Sequence, residues 1–220
     1  MVDLKSHEPA LQKILLHFGK LDILISNAGG FVRGDWHEID LALDKELFEV
    51  NVFSVINMNR LVVKHFLQVG GGQIAVMFSA SGKVPLILAG PYTASKYAIQ
   101  GYFNALRGET YGKNIDVTLI CPGLVQTSLV HGALASQNGE ASEGTQIPWE
   151  VQATWMSPER CAYLSLVAIA NRLNESWVSN FPTIPYMHFA LHFPVISQFF
   201  DSLIFPPFIR KVKSLIDVTR

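Results

Sequence analysis

Charge is what this sequence has least of. Asp, Glu, Lys and Arg make up 16% of the 220 residues, 17 basic against 18 acidic, for a formal net charge of −1. A chain so balanced gives no reason to expect nucleic acid as a partner, because phosphate-backbone binding needs a basic excess. Cysteine is nearly absent: Cys121 and Cys161 are too few for a disulfide framework, and Cys121, before Pro122 at a strand end, reads as a buried thiol. Met1 to Ala10 has no basic-then-apolar targeting pattern. His188 and His192 stand four apart, a metal-ligand spacing, but no carboxylate or Cys extends the pattern, so no metal is expected.

What the chain has in quantity is apolar surface, 49% of its residues. At this length that supports one domain with a sizeable core. Low charge beside high apolar content implies an apolar interface, to a subunit or a membrane. The order of elements is strand and helix by turns. His7–Phe18 carries Leu11, Ile14, Leu15 and Phe18 at helical spacing and stops at Gly19. Leu21–Ile25 reads as a short strand turning at Asn27-Ala28-Gly29-Gly30. Asp44–Val69 reads as a long helix interrupted near Asn51, whose amide competes for backbone partners. Gly70–Gly72 closes it, and Gln73–Phe78 is the next strand. Pro91–Tyr111 is a helix with Pro in its first turn, Asn114–Ile120 a strand, and Ser157-Pro158 an N-cap and first helical position for a helix to about Asn171. Trp177–Ser179 is a last short strand. Alternation of this kind predicts an α/β fold with a parallel sheet.

The chemistry-bearing stretch runs from Ser79 to Lys96. Tyr92 and Lys96 are four apart on a helix, so they project from one face, one turn apart. An ammonium there favours the phenolate of a side chain that otherwise titrates near ~10. Ser79 lies thirteen positions earlier, at the carboxyl end of the Gln73–Phe78 strand. A hydroxyl facing Tyr and Lys makes a carbonyl-handling site. Leu86, Ile87 and Leu88, in the loop between, fit either a lipophilic substrate or the core.

Four landmarks in this order, Asn27-Ala28-Gly29, Asn51-Val52-Phe53-Ser54, Ser79…Tyr92-x-x-x-Lys96 and Pro122-Gly123-Leu124-Val125-Gln126-Thr127, resemble the short-chain dehydrogenase/reductase family over about residues 7–180. Ala94–Arg107, Ile120–Gly123, Pro158–Cys161 and Ser176–Ser179 look most like its membrane-associated, retinal-type branch (the member-seven type). The resemblance implies a Rossmann-like, doubly wound parallel sheet and an oxidoreductase moving hydride between a nicotinamide and a carbonyl or alcohol. It implies Tyr92 as acid/base, Ser79 on the substrate oxygen, Lys96 on the nicotinamide ribose and lowering the Tyr92 pKa, and Asn51 holding a proton-relay water through its backbone carbonyl. Asn27, Ala28 and Gly29 would pack beside the adenosine ribose. Pro122, Gly123, Val125 and Thr127 would hold the nicotinamide amide. The branch further implies NADP, with NAD as the alternative, a retinoid- or steroid-like substrate, a homodimer built on residues 51–69 and 91–111, and the endoplasmic reticulum membrane rather than the cytoplasm.

Glycine is scarce where such a fold most needs it. Before Asn27 the only glycine is Gly19. The strand, glycine-rich turn and helix that receive a pyrophosphate are not written there. At ~30 residues per βαβ unit, roughly 60 residues are expected to be missing, as in an N-terminally truncated form. A catalytically silent dimerisation or membrane-bound partner of a full-length enzyme is the competing reading. Ser128–Met156, in which Gly, Ser, Gln and Asn dominate Gly132–Gln146 and Trp149 and Trp155 follow, reads as a substrate lid or a plain insertion. Residues 1–180 are assigned to the dehydrogenase-like domain and 181–220 to an apolar extension. From Ser176 to Phe200 there is no formal charge. Pro182, Pro185 and Pro194 argue against one spanning helix, while Arg210, Lys211 and Lys213 follow. Such a segment either lies on an anionic membrane or packs on protein.

Overall fold

The computed structural model describes residues 2–127 and 154–203. Four strands, β1 (Ile23–Ser26), β2 (Gly72–Met77), β3 (Ile115–Pro122) and β4 (Glu175–Val178), form one parallel sheet in that order. Its register sets Ile25 beside Ala75, Val76 beside Leu119, and Cys121 beside Trp177. The central strands are mostly apolar, with unbroken runs at Ile74–Met77 and Leu119–Cys121, because a parallel sheet is covered on both faces. Ile74, Val76, Val117, Leu119 and Cys121 belong to one core cluster, which Leu11, Val62, Phe66, Ile99 and Phe103 complete. Ala75, Ile120 and Val178 belong to another, with Cys161 and Ile169. Helices therefore pack on both faces, the doubly wound arrangement the resemblance implies.

Helix α1 (His7–Phe18) ends where Gly19 adopts a left-handed φ of 77° and its N–H bonds the Leu15 carbonyl at 2.9 Å. Its apolar face is only half covered. Leu11 is buried, but Phe18 is 69% exposed. Helix α2 (Leu41–Phe48) starts three residues before the expected Asp44, because the Asp40 carboxylate caps Ala42 N–H at 2.7 Å. A π-helical turn, Glu49–Phe53, follows, then α3 (Ser54–Val69), closed by Gly70 at φ 91°. Helix α4 (Gly90–Glu109) carries Pro91 in its first turn. Helix α5 (Pro158–Ala170) is capped by Ser157, whose hydroxyl accepts from Arg160 N–H at 3.2 Å. Helix α6 (Thr183–His192) precedes a further helical stretch at residues 194–203.

Strand bounds differ by one or two residues from the sequence expectation. Pairing with neighbours, not composition, decides them: Gln73 N–H bonds the Asp22 carbonyl and Phe78 N–H the Ile120 carbonyl. Among the described residues no helix is long and apolar enough to cross a membrane. Most of the Ser128–Met156 stretch, and Arg210, Lys211 and Lys213, lie outside the described residues.

Candidate active site

The strands' carboxyl ends bring the sequence landmarks to one rim of the sheet, where open α/β sheets receive ligands. Asn27–Gly30 follow β1, Ser79 follows β2, and Pro122-Gly123 end β3. Helix α4 adds Tyr92 and Lys96, and the π turn adds Asn51.

Asn51 joins three elements. It is 2% exposed. Its side-chain oxygen accepts Gly30 N–H at 2.6 Å, and its amide donates to the Gly30 carbonyl at 3.1 Å and to Ser95 Oγ at 3.0 Å. Ser95 in turn donates to the Tyr92 carbonyl at 2.7 Å. The distortion expected at Asn51 is real, a π turn, the kind of bulge found at functional sites. The part played by the Asn51 side chain had no signal in the sequence. Its amide mimics a backbone pair for Gly30 and ties the β1 turn to α4. Gly29 sits so close that an added Cβ would lie 3.3 Å from Asn51 Oδ1 and 3.9 Å from Lys96 Nζ. Asn27 and Ala28 are exposed on the same rim.

Ser79, Tyr92 and Lys96 are all buried. Ser79 opens a 3-10 turn, Ala80–Gly82, and its hydroxyl accepts Ser81 N–H at 3.1 Å. The Tyr92 ring meets Phe31 edge-on, centroids 4.8 Å apart. Burial pushes the Tyr92 phenol above its ordinary value; the Ser79 hydroxyl pulls it down in part, and Cys121 adds a smaller upward push. Lys96 Nζ donates to the Met77 carbonyl at 3.1 Å and stands 5.5 Å from the Tyr92 ring centroid. Burial lowers its pKa to about 8. Lys96 thus stands near the ring without a bond to the phenol, and the lowering of the Tyr92 pKa expected from it does not emerge: the Tyr92 shift is upward, set first by burial.

The Pro122–Thr127 stretch is held at the end of β3. Gly123 N–H bonds the Val178 carbonyl at 2.9 Å. A Cβ at Gly123 would fall 2.0 Å from Ser179 Oγ, so only glycine fits there. Val125 pairs with Met156, through Gln126 N–H to the Met156 carbonyl and Met156 N–H to the Leu124 carbonyl, both 3.0 Å. Thr127 is exposed.

Beside the start of α4 lies a groove of about 380 Å³ lined by Leu86, Ile87, Leu88 and Gly90 on one side and Gly34, Asp35 and Trp36 on the other. Gly34 N–H bonds the Leu88 carbonyl at 2.9 Å, which joins the two loops. Sequence reasoning named the leucine side of this groove and missed Trp36, which is 86% exposed. A tryptophan in a polar loop was its only signal. His188, which carried the metal-like spacing, instead faces the Trp177 ring at 4.5 Å.

Comparisons with known proteins agree with this geometry. The family model described as short chain dehydrogenase matches residues 1–138. The human protein named dehydrogenase/reductase SDR family member 7 is 35% identical over 184 residues, 83% of this chain and 53% of that protein. The chain spans about half the length of the curated relatives it matches. Among solved structures, a short-chain dehydrogenase from Streptomyces avermitilis superposes with a TM-score of 0.72 at 19% identity, covering 94% of this chain and 78% of that one. A gluconate 5-dehydrogenase from Burkholderia cenocepacia, in complex with NADP and tartrate, gives 0.67 at 20% identity, covering 80% and 70%. With a family model matching residues 1–138, more than half its length, and a relative 35% identical over 83% of it, this chain belongs to the short-chain dehydrogenase family.

Proposed function

We propose that the site interconverts a carbonyl and an alcohol on a lipophilic substrate of retinoid or steroid type, with NADP as the nicotinamide cofactor. The observation that carries this is the buried set Ser79, Tyr92 and Lys96, tied through Ser95 and Asn51 to the β1 turn. Tyr92, its phenol held protonated by burial, gives its proton to the substrate oxygen during reduction. Ser79 Oγ hydrogen-bonds that oxygen. Lys96 keeps positive charge beside the ring as the phenolate forms, and its ammonium and the Tyr92 hydroxyl suit a ribose diol. The bound cofactor supplies the hydride. Pro122, Gly123, Val125 and Thr127 are assigned to the nicotinamide amide, and Asn27, Ala28 and Gly29 to the ribose side. The groove at Trp36 and Leu86–Leu88 takes the apolar body of the substrate. The residues present fit the nicotinamide half of the cofactor; for the pyrophosphate, the sequence before Asn27 offers no glycine-rich turn.

Reduced nicotinamide mononucleotide, which carries the nicotinamide half alone, tests this directly. With a retinoid aldehyde, the 220-residue chain should consume it slowly, and Tyr92→Phe should reduce the rate by about 10²–10⁴-fold while retaining the fold. Equal rates in the two proteins would remove Tyr92 from the chemistry. Absence of turnover in both, with a stable dimer through α3 and α4, would favour the silent-partner reading.

Residues 181–203 support a membrane contact, at the endoplasmic reticulum by branch resemblance. Phe181, Val195 and Phe199 are 87%, 78% and 62% exposed. Aromatic surface of this kind, followed in sequence by Arg210, Lys211 and Lys213, suits an anionic interface. The chain should float with anionic liposomes, and Val195→Asp with Phe199→Asp should weaken flotation. Unchanged flotation of that variant would exclude the contact.

A further inference from the structure

One charged cluster lies apart from the acid/base set. Lys83 Nζ is 2.8 Å from Glu175 Oε2, and the two side chains are only 11% and 25% exposed. Lys83 stands at the end of the 3-10 turn that Ser79 opens. Glu175 begins β4, 92 residues away. The other Glu175 oxygen accepts from the Trp177 indole N–H, which fixes the carboxylate plane. The Lys83 ammonium also rests over the Phe78 ring, 5.6 Å from its centroid.

Helix α4 holds the same turn from the opposite side. Tyr97 Oη donates to the Lys83 carbonyl at 2.9 Å. Gln100, its amide oriented so that both ends are satisfied, donates to the Gly82 carbonyl and accepts from Lys83 Nζ, both at 2.7 Å. Gly82 is seated so tightly that an added Cβ would lie 2.1 Å from Phe78 Cε2 and 3.1 Å from the Lys96 carbonyl carbon. Tyr97 and Gln100 belong to the helix that carries Tyr92 and Lys96. The turn bearing Ser79 is therefore clasped between the helix bearing Tyr92 and the sheet, and Lys83 is the piece that touches both.

We infer that Lys83 is a positioning residue: its contacts with Glu175 and Gln100 set the Ser79 hydroxyl against the Tyr92 phenol. A largely shielded charge pair is a weak source of net stability but a good source of fixed geometry, since either partner left alone is costly. Two hydrogen bonds inside the turn transmit the position to Ser79: Gly82 N–H to the Ser79 carbonyl at 3.0 Å, and Ser81 N–H to its hydroxyl. The inference rests on the joint role of Ser79 and Tyr92 at the substrate oxygen proposed above.

The test reads the phenol itself at neutral pH. The 220-residue chain is labelled with ¹³Cζ-tyrosine, and the Tyr92 resonance among the six tyrosines is assigned by its loss in Tyr92→Phe. Ser79→Ala should displace the Tyr92 resonance. Lys83→Met should displace it in the same direction by most of that amount, the double variant should move no further than Ser79→Ala, and Lys83→Arg should restore it. Glu175→Gln should act like Lys83→Met and carries the test where Lys83→Met fails to fold. General loosening would not be silenced by Ser79→Ala, so additivity in the double variant overturns the inference. A resonance that moves in Ser79→Ala but stays in place in both Lys83→Met and Glu175→Gln overturns the clasp alone. A resonance unmoved by Ser79→Ala removes the Ser79–Tyr92 pairing and the clasp with it.

Discussion

At the scale of the residue, Lys96 shows a function working against stability. Folding takes its ammonium from water into a buried site where it donates to the Met77 carbonyl, and its pKa falls from 10.5 to about 8. Between those values the folded chain binds fewer protons than the unfolded one, so stability rises with pH across that window; below about 8 the cost is fully present. Lys96→Met keeps the stem and removes the charge. It should stabilise the chain at pH 7 by about 1–3 kcal/mol while abolishing turnover. The gap between the two proteins should narrow toward pH ~10, as the wild-type lysine gives up its proton. Urea unfolding at neutral and alkaline pH checks this, and a less stable Lys96→Met at pH 7 would mean that the Met77 hydrogen bond outweighs the desolvation. Tyr92 and Lys96 were legible in the sequence because helical spacing puts them on one face and they stand in order among four family-like landmarks. Lys83 was not, because its partner Glu175 is distant in the chain and meets it only through the sheet.

At the scale of the element, the π turn at Glu49–Phe53 is the joint of the site. Asn51→Ala leaves the Gly30 N–H and carbonyl and the Ser95 hydroxyl without this partner, at a cost of about 2–4 kcal/mol. Amide exchange at Gly30 should accelerate while β3 and β4 amides keep their protection. A loss below about 0.5 kcal/mol would show that the backbone can satisfy itself without Asn51. Element ends set by local chemistry could be read ahead of the structure: Gly19 and Gly70 as left-handed stops, and Ser157-Pro158 as a start. The helices after residue 182 could not, because three prolines in that stretch argue for breaks. Pro185 falls in the first turn of α6, where a missing N–H has no intrahelical partner to lose, and Pro194 stands at the start of the next helical stretch. The segment is helical twice over with a break before Pro194, so the prolines do preclude one continuous helix, as expected, and they also mark the two starts.

At the scale of the whole molecule, two features of the 220-residue chain meet at β1. Among the described residues β1 is the outer strand of the sheet, with Ile23 and Ile25 44% and 47% exposed. An apolar strand edge with free backbone groups invites another chain, so purified protein should associate as concentration rises. Ile25→Lys should suppress this without moving the Tyr92 resonance. The same side of the fold governs cofactor affinity. A dinucleotide gains much of its binding from pyrophosphate oxygens meeting a glycine-rich turn and a helix N-terminus, and the sequence before Asn27 supplies one glycine, Gly19, spent as a helix stop. The contacts this chain does offer, from Tyr92, Lys96 and the Pro122–Thr127 stretch, address the nicotinamide side. NADPH, NADH and reduced nicotinamide mononucleotide should therefore bind the monodisperse Ile25→Lys protein weakly and within about tenfold of one another, a spread of ~1.4 kcal/mol. Calorimetric titration separates the cases. Micromolar binding of NADPH with millimolar binding of the mononucleotide would require a phosphate cradle built from residues other than a glycine-rich turn. Substitutions along the exposed Asn27-Ala28 rim would then have to locate it.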